Sequence, residues 1–149
     1  MIKVLFICHG NICRSTMAEF MFRNMVRKAG REKDFLIESA ATSREEIGND
    51  IHPGTKKKLQ ENGVPYERHY ARQMSRTDYN KFDYLIGMDD ANVRNIIRIA
   101  GGDPEKKVFK LLDFAGEDRS IADPWYTGNF DETYDDILTG LQGLFRELL

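Results

Sequence analysis

"IKVLFICHGNICRS", residues Ile2–Ser15, joins an apolar run to a loop that carries two cysteines, a histidine, a glycine, an asparagine and an arginine. Apart from Lys3, Ile2–Ile7 is apolar, as expected of a strand covered on both faces. The stretch after it, "TMAEFMFRNMVRKAG" (Thr16–Gly30), places Met17, Met21 and Met25 four residues apart, with Ala18, Phe22 and Val26 beside them. That spacing predicts a helix with a wide apolar stripe, its methionines serving as core filler. Thr16-x-x-Glu19 has the form of a capping box at its start, and Gly30 stands where a helix ends. Strand, tight loop and helix therefore follow one another directly.

The same alternation continues along the chain. "DFLIES" (Asp34–Ser39) reads as a second strand, "FDYLIGM" (Phe82–Met88) as a third and "KVFKLL" (Lys107–Leu112) as a fourth. Between them, "HPGTKKKLQENG" reads as a helix with Pro53 early and Gly63 at its end. "DDANVRNIIRIAGG" reads as another, with Asp89 or Asp90 as cap. Tyr134, Ile137, Leu138, Leu141, Leu144, Phe145 and Leu148 give a final helix, with Asp131 and Glu132 at its positive end. Alternating strands and helices predict an α/β fold, a parallel sheet with helices on both faces. No linker or repeat interrupts the 149 residues, so a single domain over 1–149 is expected. In such sheets ligands bind beyond the carboxyl ends of the strands, which is where Cys8–Ser15 lies.

Composition narrows the function. A net charge of −2 gives no basic field for nucleic acid, and Lys56-Lys57-Lys58 reads as a solvated helix face. No apolar run has the length of a membrane helix, and the N-terminal run reads as a strand and not as a signal peptide. Two cysteines make no disulfide framework, so a reducing cytoplasm is the expected compartment.

The loop itself suits a tetrahedral oxyanion. The first amides of a helix lack internal partners and the helix dipole is positive there. Gly10 and Asn11 tolerate the positive φ that turns successive amides inward. Arg14 adds a planar fork for two phosphate oxygens. Cys8 is the unusual member, because a plain phosphate cradle needs no thiol and the Walker form's closing Gly-Lys-Ser/Thr is missing. Among inward amides and beside Arg14, such a thiol is expected to favour its thiolate and to stand in line for attack on phosphorus. The Ser15 hydroxyl can donate to that sulfur. Competing readings are buried small hydrophobes at Cys8 and Cys13, a zinc site using Cys8, His9 and Cys13, and a redox pair. The zinc site lacks a fourth ligand and C-x4-C is not C-x-x-C.

Cys8-x5-Arg14-Ser15 with Gly10-Asn11 resembles the low-molecular-weight protein tyrosine phosphatases. The resemblance extends through "ESAATS" (Glu38–Ser43), "ARQ" (Ala71–Gln73), "FDYLIGMD" (Phe82–Asp89) and "DPW" (Asp123–Trp125). It implies a four-stranded parallel sheet flanked by helices, no cofactor and no metal. It implies Cys8 as nucleophile, Arg14 as phosphate-binding group and Asp123 as general acid, then as base for the water that hydrolyses a cysteinyl-phosphate. His9, Gly10, Asn11, Ile12, Cys13 and Ser15 would form the substrate cradle, with Asn11, Ser15, Ser39 and His69 in a supporting hydrogen-bond network. Trp125 and Tyr126 would line the mouth and stack on an aryl ring. Alone, Asp123 would read as a turn residue, His69 as a surface histidine and Ser39 as a turn hydroxyl. The implied substrate is a phosphotyrosine-containing protein or a small aryl phosphate.

Three positions depart from the family pattern: His9 where an apolar residue is common, Thr16 where proline is common, and Arg44-Glu45-Glu46 where an aromatic often stands. Glu45 is expected to disfavour acidic residues beside the phosphotyrosine. Two enzymes of the same fold compete. An arsenate reductase needs cysteines beyond Cys13, which the chain lacks; a protein-arginine phosphatase typically has threonine in place of Ile12. A non-catalytic phosphotyrosine-binding module is a third reading. Cys8 and Cys13, close together in one loop, are also expected to pair under oxidation.

Overall fold

The computed structural model describes residues 1–149. Four strands, β1 (Ile2–Cys8), β2 (Phe35–Ala41), β3 (Tyr84–Gly87) and β4 (Val108–Lys110), form one sheet in the order β2-β1-β3-β4, every neighbour parallel. Six helices accompany them: α1 (Arg14–Lys28), α2 (Pro53–Glu61), α3 (Arg76–Lys81), α4 (Asp90–Ala100), α5 (Pro124–Thr127) and α6 (Phe130–Leu148). The chain leaves β1 toward β2 on one side and later enters β3 on the other. The strand order therefore switches beside β1, and the crevice at its carboxyl end is where this architecture binds ligands.

Alternation along β1 divides the core in two. Val4, Phe6 and Cys8 belong to a cluster with Met17, Met21 and Phe22 of α1 and Ile137, Leu141 and Leu144 of α6. Leu5 and Ile7 belong to a second cluster with Phe82, Leu85 and Ile96 on the α3 and α4 face. A strand buried on both faces is what a continuous apolar run specifies. Gly143 in α6 is required by close approach: a Cβ there would lie 2.2 Å from the Phe114 carbonyl oxygen.

Several boundaries differ from the sequence reading. β2 runs two residues past Ser39, because Ala40 and Ala41 continue the ladder with Ile7 and Cys8 of β1, and Ala41 also bridges to Gln73. β4 stops at Lys110, where a 3₁₀ turn (Leu111–Ala115) takes over. The short helices α3 and α5 are not apparent from apolar periodicity. The capping box expected at Thr16 and Glu19 does not form. Helix α1 begins two residues earlier, with Cys13 as N-cap and no side-chain cap. The Thr16 hydroxyl instead donates back to the Ile12 and Cys13 carbonyls, and Glu19 turns inward against Ser39 and Arg23. The helix entrance is left for the loop, with the Ser15 amide directed at Cys8.

Candidate active site

β1 delivers Cys8 to the carboxyl edge of the sheet and α1 starts at Arg14, so the intervening residues must turn sharply. Asn11 makes that turn with φ of 60°, a left-handed conformation asparagine tolerates better than most residues. Its side chain, fully buried, then serves as the hub beneath the loop. Both amide hydrogens are committed: Nδ2 donates to Ser15 Oγ (2.8 Å) and Ser39 Oγ (2.9 Å). Oδ1 accepts from His69 Nε2 (2.8 Å) and the Arg72 amide (3.2 Å). Since the amide oxygen has no hydrogen to give, Nε2 is the protonated nitrogen of His69. Burial lowers the His69 pKa, and Arg23, Arg72 and Arg68 add to that effect against Asp50.

The hub orients Ser15. Its oxygen accepts from Asn11 and lies 3.1 Å from Cys8 Sγ. The Ser15 amide donates to the same sulfur at 3.4 Å. Cys8 Sγ thus meets both the hydroxyl and the amide of Ser15 at the mouth of a helix. Cys13 is different. Burial, with the Cys8 and Asp123 charges, pushes its pKa well up, so it remains a thiol.

Arg14 is the largest of the buried side chains, only 2% exposed. Its NH1 donates to Asp89 Oδ2 (2.7 Å) and the Ile121 carbonyl (2.9 Å), and its NH2 to Asp123 Oδ2 (3.4 Å). Burial alone would lower its pKa; Cys8, Asp89 and Asp123 outweigh burial and the net shift is upward. Nε has no partner, and it is the one buried side-chain nitrogen or oxygen so placed. An orphaned guanidinium donor costs about 1–3 kcal/mol or more, which a phosphate oxygen would recover.

A cavity of about 90 Å³ opens over this arrangement, lined by Cys8, His9, Gly10, Ile12 and Cys13 from the loop, by Glu45 and Glu46, and by Asp123, Trp125 and Tyr126. Asp123 caps α5, its Oδ1 accepting from the Trp125 amide at 3.0 Å. Trp125 and Tyr126 stand out into solvent at 57% and 81% exposure. His9 Nε2 and Glu45 Oε2 are hydrogen-bonded at 2.9 Å on the opposite rim. A larger cavity of about 480 Å³ lies between α1 and the edge of β2, away from the thiol.

All thirteen residues the sequence points to lie in or beneath this cavity. Sequence reasoning missed four others. Asp89, read only as a helix cap, both caps α4 and fixes Arg14. Its position at the carboxyl end of β3 is the signal, because that end of the sheet carries the site. Glu19 supports Ser39, Glu46 packs against Gly10, and Ile121 contributes only a carbonyl, which no side-chain pattern announces.

A parallel α/β sheet with a thiol seated in an anion cradle and an arginine lining it defines the class of cysteine-dependent phosphatases. Comparison with known proteins narrows the class. The family profile "Low molecular weight phosphotyrosine protein phosphatase" matches residues 3–149. The chain belongs to that family. It is 41% identical to the Bacillus subtilis low molecular weight protein-tyrosine-phosphatase YfkJ, over 99% of this chain and 96% of that one. The crystal structure of YfkJ superposes with a TM-score of 0.96 at 40% identity, covering 99% and 94% of the two chains. A Schizosaccharomyces pombe low molecular weight phosphotyrosine protein phosphatase is 39% identical over 99% and 97%. An arginine phosphatase of Drosophila shares the fold with a TM-score of 0.89 at 27% identity, over 98% and 97% of the chains.

Proposed function

We propose that residues 1–149 form one phosphatase domain that hydrolyses phosphotyrosine and other aryl phosphates, with Cys8 as nucleophile, Arg14 as the phosphate anchor and Asp123 as general acid. The Cys8 thiolate attacks phosphorus while the bond to the aryl oxygen breaks. Arg14 and the loop amides carry the charge on the remaining oxygens. Asp123 gives its proton to the leaving oxygen, since a tyrosyl group of pKa about 10 departs slowly as phenolate. The resulting carboxylate takes a proton from water, whose oxygen attacks phosphorus. The P–S bond breaks, and the sulfur leaves as a thiolate held by the Ser15 hydroxyl and amide. Inorganic phosphate is released, and no metal or cofactor enters either step.

The observation that carries this reading is the unpartnered Nε of buried Arg14 beside the Cys8 thiol. Ile12, lining the cavity, supplies an apolar wall for an aryl ring and favours tyrosine over phosphoarginine. No helix is long and apolar enough to cross a membrane, in keeping with a cytoplasmic protein acting on phosphotyrosine proteins. The test is para-nitrophenyl phosphate turnover with chelator present. Wild type is expected to turn over, whereas Cys8→Ser folds, binds phosphate and does not. Turnover by Cys8→Ser, or a requirement for added divalent metal, contradicts the reading.

A further inference from the structure

His52 belongs to no expected site, yet it touches both halves of this one. It is the residue before α2. Its backbone N–H donates to the carbonyl of Ile12 in the phosphate loop at 2.9 Å, and Thr55, one turn on, donates to the Cys13 carbonyl at 3.2 Å. The start of α2 is therefore clasped to the cradle. The His52 ring packs between two aromatic side chains. Its Nδ1 accepts from the Gly54 amide at 2.9 Å, which fixes the ring's rotation and caps the helix. One face stacks on Phe130, with centroids 5.1 Å apart and planes 23° apart. Trp125 meets the same ring edge to face at 5.8 Å and 81°. Phe130 cannot retreat from this stack toward α2, because its ring already lies so close to Gly54 that a Cβ there would be 2.4 Å away.

Trp125 has no other aromatic neighbour within stacking range and is more than half exposed. Its backbone is bound directly to Asp123: the Trp125 amide donates to Oδ1, and the Tyr126 and Thr127 amides donate to the Asp123 carbonyl. The indole and the Asp123 carboxyl therefore sit on one short hydrogen-bonded turn. A helix cap alone needs only a short side-chain oxygen, which asparagine or serine supplies better than histidine. The ring adds contact with Trp125.

We propose that His52 is a positioning residue for the Asp123 loop: anchored to the phosphate cradle through Ile12, its ring holds Trp125 and so sets where the Asp123 carboxyl stands over Cys8. The proposal rests on Asp123 as the general acid. A proton donor displaced by about 1 Å loses much of its effect, and a placed acid contributes roughly 10²–10⁴-fold.

The test uses His52→Asn, which keeps a capping oxygen and removes the ring, with His52→Ser as a second capping variant should the first fold poorly. His52→Phe keeps a ring and gives up the cap. Trp125 is the sole tryptophan in the chain, so its emission reads the loop without interference. In His52→Asn the emission is expected to shift. Its kcat/KM for tyrosine phosphate is expected to fall about tenfold, a part of the general-acid contribution. The loss should shrink as the leaving group becomes more acidic, and His52→Phe should restore both readouts. A wild-type dependence on the leaving group in both His52→Asn and His52→Ser overturns the proposal. Asp123→Asn measured alongside reads the acid assignment separately. If its losses do not vary with the leaving group, Asp123 is not the acid, while the emission of the His52 variants still reads their hold on Trp125.

Discussion

The floor of the pocket and its mouth are held by different means. Under the loop, Asn11 and Ser15 are completely buried, Ser39 is nearly so, and each polar atom of Asn11 has a protein partner. At the mouth, Trp125, Tyr126, Glu45 and His9 are exposed, and Asp123 is held by one turn of helix and a 3.4 Å contact with Arg14. The attacking sulfur must meet phosphorus within a few tenths of an ångström, so its surroundings are fixed from several directions. The acid must accept substrates of different shape beside it, so it sits on a short element whose position depends on few contacts. Damage to the floor should therefore cost activity and stability together. Damage to the mouth should cost activity alone.

The sharpest break falls on Asp123. Asp123→Asn is expected to lower kcat/KM for tyrosine phosphate by about 10²–10⁴, less for substrates with a more acidic leaving group, and to leave the melting temperature near wild type. Steady-state kinetics across a series of aryl phosphates, with thermal melts, checks it. Uniform losses in kcat/KM would return Asp123 to a turn residue.

Asn11→Ala attacks the floor. It removes the donor that the Ser15 and Ser39 hydroxyls accept from and strands His69 Nε2 and the Arg72 amide, at about 2–4 kcal/mol of stability in all. Ser15 loses its orientation, and kcat should fall about 10–100-fold, each tenfold corresponding to about 1.4 kcal/mol. Activity loss without loss of urea stability would contradict the comparison.

Cys13 lines the same cavity as a buried free thiol. Peroxide oxygen transferred to the Cys8 thiolate gives a sulfenic acid and hydroxide. Condensation with the Cys13 thiol then gives a disulfide and water. Wild type should recover most activity in dithiothreitol after peroxide, and Cys13→Ser several-fold less. Equal recovery, with no Cys8–Cys13 linked peptide in the mass spectrum, would leave Cys13 a packing residue.

The smallest effect belongs to the rim. Glu45→Gln is expected to shift the preference between phosphopeptides with basic and acidic flanks by about two- to fivefold, the scale of an exposed charge pair, and less at high salt.

The backbone of the floor was legible in local pattern, whereas Asp123 at the mouth was reached only through resemblance. β1, the loop and α1 follow from one apolar run, two turn-tolerant residues and a four-residue methionine spacing, because burial on both faces leaves little choice. Asn11 and Ser15 were read from the loop itself, whereas Ser39 and His69 were reached through resemblance, since nothing local says that a serine in β2 lies under a loop after β1. The failed capping box at Thr16 and Glu19 has the same cause: a local pattern was overruled by the inward turn of Glu19 toward Ser39. α3 and α5, of six and four residues, are too short for periodicity to register. His52 and Asp89 act through contacts across distant segments and read locally as helix caps.

The central claim is that phosphorus passes through a bond to Cys8. In Asp123→Asn, para-nitrophenyl phosphate should still phosphorylate the thiol, because its leaving group needs little help, while hydrolysis lacks its base. Rapid mixing followed by a denaturing quench should show a burst of about one equivalent of nitrophenol per enzyme. Mass spectrometry of the quenched protein should place a phosphoryl group on Cys8. A phosphoryl group on another residue, or a full burst with no covalent phosphate, would contradict the account.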